Sequence, residues 1–272
     1  MPTALIITTA GINCDQELGF AFELAGATPC PMHLNRLIKN PELIDEFDLI
    51  GLPGGFSYGD AVAAGRIASH LMKQTLYPAF IRALLREVPI FAPCNGFQML
   101  AQMGLVPGPE IVGQSWPKTP PSPRVTLAQN ASARFVDRWV KVEIPTDTRC
   151  VWTQGLNATK HTSMLPVAHG EGRFIPASDD VMQNLKGNGL IAVRYAADDN
   201  PNGSAGDVAG ICDSTGLIFG LMPHPERFTR WTHHPFWTRL DESEMSDEPL
   251  GLQMFRKAVA HAENQTTLKA VV

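Results

Sequence analysis

Short apolar runs alternate with stretches of helical spacing through the first hundred residues of the chain. Residues 4–10 form an apolar run suited to a buried strand. After a turn at Gly11-Ile-Asn-Cys-Asp15, the positions Leu18, Phe20, Ala21, Phe22 and Leu24 mark a helix over 16–25. Residues 27–34 read as a second strand, Asn40-Pro41 opens a short helix through 47, and 48–53 is a third strand running into Gly54-Gly-Phe-Ser-Tyr-Gly-Asp60. Residues 61–87 carry a helical pattern with a break expected near Pro78, and the strand after it ends at Cys94. Directly behind Cys94, the residues Phe97, Leu100, Ala101 and Leu105 recur at helical spacing, with Gly104 as a stop. Strands alternating with helices predict an α/β fold with a mostly parallel central sheet and flanking helices on both faces.

The pattern changes after residue 105. Residues 106–123 are rich in proline, glycine and serine and predict a long surface connection. Runs at 125–127, 135–144 and 150–153 then suggest strands without long helices between them, an antiparallel extension of the sheet. The stretch 166–174 needs loop geometry around His169-Gly-Glu-Gly172, and 190–197, 207–212 and 216–222 are further strands. A helix over 250–262 closes the pattern. We therefore expect one domain over 1–264 and a flexible tail over 265–272.

Composition narrows the function classes. Hydrophobic residues make up 44% and charged residues 18%, and the net charge of −5 offers no basic field for nucleic acid. Five scattered cysteines lack CxxC spacing and form no even disulfide framework, which suits a reducing cytoplasm. The N-terminal run has no basic leader and is too short to span a membrane, so neither export nor a membrane is expected. His233 and His234 are adjacent, poor spacing for metal ligands on a helix, and no metal is assigned.

Three segments carry candidate chemistry. A buried strand delivering Cys94 to a sharp turn and a following helix is a nucleophile elbow, and the helix N-terminus favours a thiolate there. Taken alone, Cys94 could equally be a small core hydrophobe. Gly54 and Gly55 follow the preceding strand, so in a parallel sheet they reach the same edge, where their backbone can approach a substrate. The bland alternative is a plain Pro-Gly turn. His224 and Glu226 end the apolar run Gly216-Leu-Ile-Phe-Gly-Leu-Met-Pro223, two residues apart, so that a carboxylate can orient an imidazole. A histidine between two prolines can instead be a rigid surface turn, and His169 between small residues a turn residue.

Together, Cys94 on its elbow, Pro53-Gly-Gly and His224-Pro-Glu226 resemble the class I triad glutamine amidotransferases. Asn13-Cys-Asp-Gln16, Pro53-Gly-Gly-Phe-Ser-Tyr-Gly-Asp60, Cys94-Asn-Gly-Phe-Gln98, Ala168-His-Gly-Glu-Gly-Arg173, Pro201-Asn-Gly-Ser204 and Met222-Pro-His-Pro-Glu-Arg227 narrow the resemblance. They are similar to the family of glutaminase subunits of phosphoribosylformylglycinamidine synthases. The resemblance implies a flavodoxin-like fold, with Cys94 as nucleophile, His224 as general base and acid, and Glu226 as its orienter. It further implies an oxyanion hole from the N–H groups of Gly55 and Asn95, and glutamine binding by Gly54, Phe56 and Gln98. The loop carrying His169, Glu171 and Arg173 would face the site or a partner. One departure is Ala92-Pro93, where many relatives have glycine and a small aliphatic residue.

Neither a Gly-x-x-x-x-Gly-Lys-Ser/Thr loop nor a Gly-x-Gly-x-x-Gly after a strand is present, so no cofactor is expected on this chain. The resemblance places ATP and magnesium on a partner, an ATP-dependent formylglycinamidine ribonucleotide synthetase subunit, joined by a small bridging subunit. Three other readings stay open on the residues: a triad amidotransferase serving another acceptor, a glutamine-sensing subunit without turnover, and an esterase with a cysteine elbow.

Overall fold

The computed structural model describes residues 1–110, 113–158 and 162–271, with side chains described as far as Gln265. The first half alternates: β1 (Thr3–Thr8), α1 (Asp15–Ala25), β2 (Thr28–His33), α2 (Leu34–Lys39), β3 (Leu49–Gly51), α3 (Arg66–Thr75), α4 (Tyr77–Leu85), β4 (Ile90–Pro93) and α5 (Asn95–Met103). The second half is richer in strands. It contains β5 (Val125–Ala128), β6 (Val136–Glu143), β7 (Met164–His169), β8 (Arg173–Pro176), α6 (Asp179–Gly187), β9 (Ile191–Tyr195), β10 (Val208–Cys212), β11 (Ile218–Leu221) and α7 (Leu250–Val271).

Among the described residues, nine strands form one sheet in the order β2-β1-β3-β4-β11-β10-β9-β6-β7, and β5 pairs with β8 apart from it. From β2 to β11 all neighbours are parallel. From β11 to β7 all are antiparallel. The parallel part has the flavodoxin-like order, with β11 in the fifth place. That is the expected fold class, antiparallel extension included.

Side-chain alternation on the central strands explains how the helices sit. Phe91 of β4 and Phe219 of β11 point to one face, where they meet Trp152, Phe22 of α1 and Phe255 of α7. Phe22 meets Phe255 edge-on at 5.1 Å, and Phe91 lies 5.1 Å from Trp152. Ala92 and Gly220, one residue along, face α5 on the other side, where a side chain on Gly220 would run into the Phe97 ring. Among the described residues, no helix is long and apolar enough to cross a membrane.

Several expectations need correction. Residues 150–153 are a buried turn in which the Thr153 and Gln154 N–H groups donate to the Cys150 carbonyl; their apolarity serves the aromatic cluster around Trp152. The run 61–87 is two helices meeting at Leu76, with Pro78 in the first turn of α4, where its missing N–H does no harm. Residues 61–65 are not helical. The connection from 106 starts buried, through Pro109, and residues 111 and 112 of it lie outside the described residues. Strands β7 and β8 enclose the 170–172 turn, so only its centre is loop. Helices α2 and α6 were not expected, and α7 continues past 262 to Val271, into the segment expected as a tail.

Candidate active site

The elbow forms at the end of β4. Cys94 has φ 49° and ψ −108°, a conformation rare for a residue with a side chain, and its N–H donates to the Leu221 carbonyl at 2.7 Å. What allows the helix to follow so closely is Gly96. A Cβ there would lie 2.0 Å from the Leu52 carbonyl oxygen and 3.0 Å from Ala92 Cβ. Ala92-Pro93 therefore does not prevent the elbow, and Gly104 in left-handed geometry ends α5 where expected.

Gly54 and Gly55 reach the same sheet edge. A side chain on Gly54 would sit 2.9 Å from His224 Cε1 and 3.5 Å from Cys94 Cβ, so only a bare backbone fits between base and cysteine. Gly55 has φ +136°, and a Cβ on it would meet the backbone of Gly11, Ile12 and Asn13 within 2.9 Å. Neither its N–H nor that of Asn95 makes a hydrogen bond among the described residues.

His224 enters just past β11, its own N–H held by the Pro166 carbonyl at 2.8 Å. Its Nδ1 pairs with Glu226 Oε1 at 2.6 Å, both side chains essentially without solvent contact. Burial opposes the charged imidazolium, but Glu226 and then Cys94 outweigh it, and the His224 pKa is pushed up to about 10. Nε2 has no hydrogen-bond partner among the described residues, while Cys94 Sγ donates to the Ala168 carbonyl at 3.7 Å. Sulfur and imidazole are thus neighbours in one buried site, close enough for Cys94 to act on the charge of His224.

Around this centre lies a network of amides. Asn95 Nδ2 donates to Gln98 Oε1 at 2.8 Å and to Asp60 Oδ1 at 3.1 Å, while its Oδ1 accepts from Ser57 N at 3.2 Å. Gln98 Nε2 donates to the Glu171 carbonyl at 2.6 Å, and Glu171 Oε2 accepts from Ala64 N at 3.3 Å. Glu171 therefore joins the site. His169 is buried and held through Nδ1 by Asn130 Oδ1 at 3.1 Å; burial, aided by His224, drives its pKa down to about 4, so the ring is neutral. Arg173 begins β8 and does not line the cleft at Cys94.

Two clefts flank Cys94, sharing Gly55, Phe56, Phe135 and Ala168. The first, of about 410 Å³, adds Asp60, Ala64, Gln98 and the 169–171 turn. The second, of about 480 Å³, adds Asn13, Cys14, Asp137, His224 and Arg227. Phe56 and Phe135, both exposed, stand at the rim with ring centroids 6.5 Å apart.

Sequence reasoning missed Asp60, Phe135, Cys14, Asn130 and Asn202 as site or support residues. Asp60, Cys14 and Asn202 sat in motifs already singled out; Asn130 and Phe135 carried no signal. Burial raises the pKa of Asp60, against hydrogen bonds from Gly65 N and Asn95. Cys14, His224 and Glu226 offer ligand atoms within 4.8 Å of one another. Arg227 Nη2 lies against the Cys14 sulfur at 3.0 Å and His224 Nδ1 is committed to Glu226, which leaves a poor cation site.

Residues 1–262 match the family model described as a CobB/CobQ-like glutamine amidotransferase domain. The chain belongs to this family of glutamine amidotransferases. Within the family, it is 39% identical over 265 residues to the PurQ subunit of phosphoribosylformylglycinamidine synthase from Dehalococcoides mccartyi, covering 95% of this chain and 96% of that one. It is 37% identical over 238 residues to PurQ of Methanococcus maripaludis strain S2, covering 84% and 82%. Among solved amidotransferase structures, PurLQS from Thermotoga maritima superposes with TM-score 0.69 at 28% identity, over 96% of this chain and 98% of that chain. A Thermoplasma acidophilum protein described as a GMP synthase subunit, with TM-score 0.56 at 13% identity over 99% and 98%, shares the fold.

Proposed function

We propose that the chain is the glutaminase subunit of phosphoribosylformylglycinamidine synthase, hydrolysing glutamine and supplying ammonia for purine synthesis. One observation carries the chemistry: a cysteine in strained elbow geometry shares a buried site with an imidazole held by a carboxylate at 2.6 Å. The PurQ names of relatives above 30% identity over most of the chain support the choice of acceptor pathway.

Glutamine enters the first cleft, with Gly54, Phe56 and Gln98 around it. The Cys94 thiolate attacks the side-chain carboxamide carbon, and the N–H groups of Gly55 and Asn95 receive the developing oxyanion. As the tetrahedral intermediate collapses, the C–N bond breaks and His224 gives its proton to the departing ammonia. The remaining glutamyl thioester is cleaved by water, whose proton His224 takes; glutamate leaves and the thiolate returns. Glu226 orients the imidazole and stabilises its charged form throughout.

The ammonia is consumed by an ATP-dependent synthetase subunit, with a small bridging subunit in the assembly. ATP and magnesium belong to that partner. Residues 1–264 act as one amidotransferase domain with 265–272 appended, and the five free thiols suit the cytoplasm. Cys94→Ala should abolish glutamine hydrolysis in the assembled complex while leaving amidine formation from added ammonium salts intact. Ammonia release from glutamine at the unmodified rate would refute the assignment.

A further inference from the structure

The Glu226 carboxylate uses one oxygen on His224. The other, Oε2, is buried and has no hydrogen-bond partner among the described residues. Close by is the thiol of Cys14, a residue of the Asn13-Cys-Asp-Gln16 motif that the reaction has not used. Its Sγ lies within 4.8 Å of a Glu226 carboxylate oxygen and of a His224 ring nitrogen. Its backbone is fixed at the start of α1, with its N–H on the Gly54 carbonyl at 3.3 Å and its carbonyl taking Leu18 N at 3.1 Å. Against the same sulfur lies Arg227, whose Nη2 donates to it at 3.0 Å. Arg227 Nε also lies 3.7 Å from Glu17 Oε1, but among the described residues Arg227 makes no ion pair with Glu226, its near neighbour in sequence.

A guanidinium beside a buried carboxylate would ordinarily form a bidentate, charge-assisted pair with it. Such a pair would take the carboxylate from the imidazole. We propose that Cys14 is a positioning residue of the glutaminase site: its sulfur stands between the Arg227 guanidinium and the Glu226 carboxylate and keeps that carboxylate committed to His224. A thiol suits this place. It fills the gap, accepts only weakly from the guanidinium and brings no charge, since burial and then Glu226 push its pKa up to about 12. Arg227 in turn holds the sulfur in place.

The inference rests on the triad reading above, and its signature is a pH profile. The charged and titratable groups facing His224 and Glu226 are Cys14 from the cap of α1, Arg227 from the segment after β11, Cys94 from the elbow and neutral His169 from β7, while Glu17 of α1 acts on Cys14 and Arg227. The alkaline limb of kcat/KM for glutamine reports loss of the His224 proton, and His224 titrates near 10, so a downward shift is the easily seen direction.

The full chain, assembled with its synthetase, is assayed for glutamine hydrolysis. Cys14→Ala should move the limb down by about one unit and lower kcat about tenfold, with KM little changed, because Arg227 can then reach Glu226. Cys14→Ser, also smaller than cysteine, should move it the same way by less and carries the test if the alanine variant fails to fold. Cys14→Val, which fills the space without charge, should keep the limb in place. The double variant Cys14→Ala with Arg227→Met should return the limb to its original position, which loss of packing alone would not do. An unmoved limb in the folded alanine or serine variant, or a double variant as shifted as the single one, overturns the proposal. Cys94→Ala in the same assay separates the two claims: if it is inactive, the triad reading stands whatever Cys14 does.

Discussion

Adding one methyl group at Gly96 tests the elbow more sharply than removing a catalytic side chain. The new Cβ would lie 2.0 Å from the Leu52 carbonyl oxygen and 3.0 Å from both Leu52 C and Ala92 Cβ. A comfortable carbon–oxygen contact is about 3.3 Å, so α5 must retreat from the end of β3 by about 1.3 Å. Two of the three opposing atoms are backbone and cannot rotate away. Overpacking of this kind costs about 1–3 kcal/mol, and the clash with main chain puts Gly96→Ala at the upper end. At about 2 °C per kcal/mol for a chain of this size, the melting temperature should fall by about 6 °C. The retreat carries Cys94, Asn95 and Gln98 away from Gly54 and Gly55, and a displacement of about 1 Å in an active site costs about a hundredfold in rate. Gly187→Ala is the control, since a Cβ at that last residue of α6 meets nothing within 4 Å. It should leave stability unchanged or raise it by up to about 1 kcal/mol. Thermal melts and glutamine hydrolysis of both variants decide the matter. A Gly96→Ala protein with an unchanged melt and full kcat would refute the reasoning, as would an equal loss in Gly187→Ala.

Glu226→Gln keeps the shape of the site but removes the charge that sustains the imidazolium, and kcat should fall by about 10³–10⁴-fold with folding preserved. The same variant has a stability signature. Because the His224 pKa is raised in the folded state, its contribution is fully present below about pH 6.5 and is lost as pH rises through about 10. The melting difference between the original protein and Glu226→Gln should therefore shrink across that window, and a difference that grows with pH would contradict it. Gln98→Leu breaks the bridge between Asn95 and the Glu171 carbonyl and should raise KM for glutamine more than it lowers kcat, which steady-state kinetics will resolve. Trp152→Ala empties the centre of the aromatic cluster and should cost about 3–5 kcal/mol in denaturant unfolding, with little effect on the activity of the protein that remains folded.

Much of the parallel half was legible because three of its strands end in a chemical marker: Gly54 after β3, Cys94 after β4, His224 after β11. The spacing of apolar residues gave the sheet, and the rule that ligands bind at the carboxyl ends of parallel strands brought the three markers to one edge. Local pattern failed where burial is decided by distant partners. Residues 150–153 are apolar because Trp152 meets Phe22, Phe91 and Phe255, and nothing in four residues distinguishes that from a strand. Helix α2 starts at Leu34 directly after β2 with no breaker between them. Helix α6 did carry a signal, since Ser178 caps it by accepting from Val181 N and Asp179 and Asp180 fill its first turn. His169 looked like a loop histidine, and its role as a buried, neutral support depends on Asn130 and Asn202 from two other loops.

The position of β11 has a consequence for synthesis of the protein. This strand, made after residues 94–217, lies between β4 and β10 rather than at an edge, and the base and its carboxylate follow it. A partly synthesised chain therefore lacks both the base and the Leu221 carbonyl that holds the Cys94 N–H in the elbow. Ammonia release must await insertion of one late strand into the middle of the sheet, a long-range pairing that is slow to form. An unfinished copy therefore has no complete relay with which to hydrolyse glutamine.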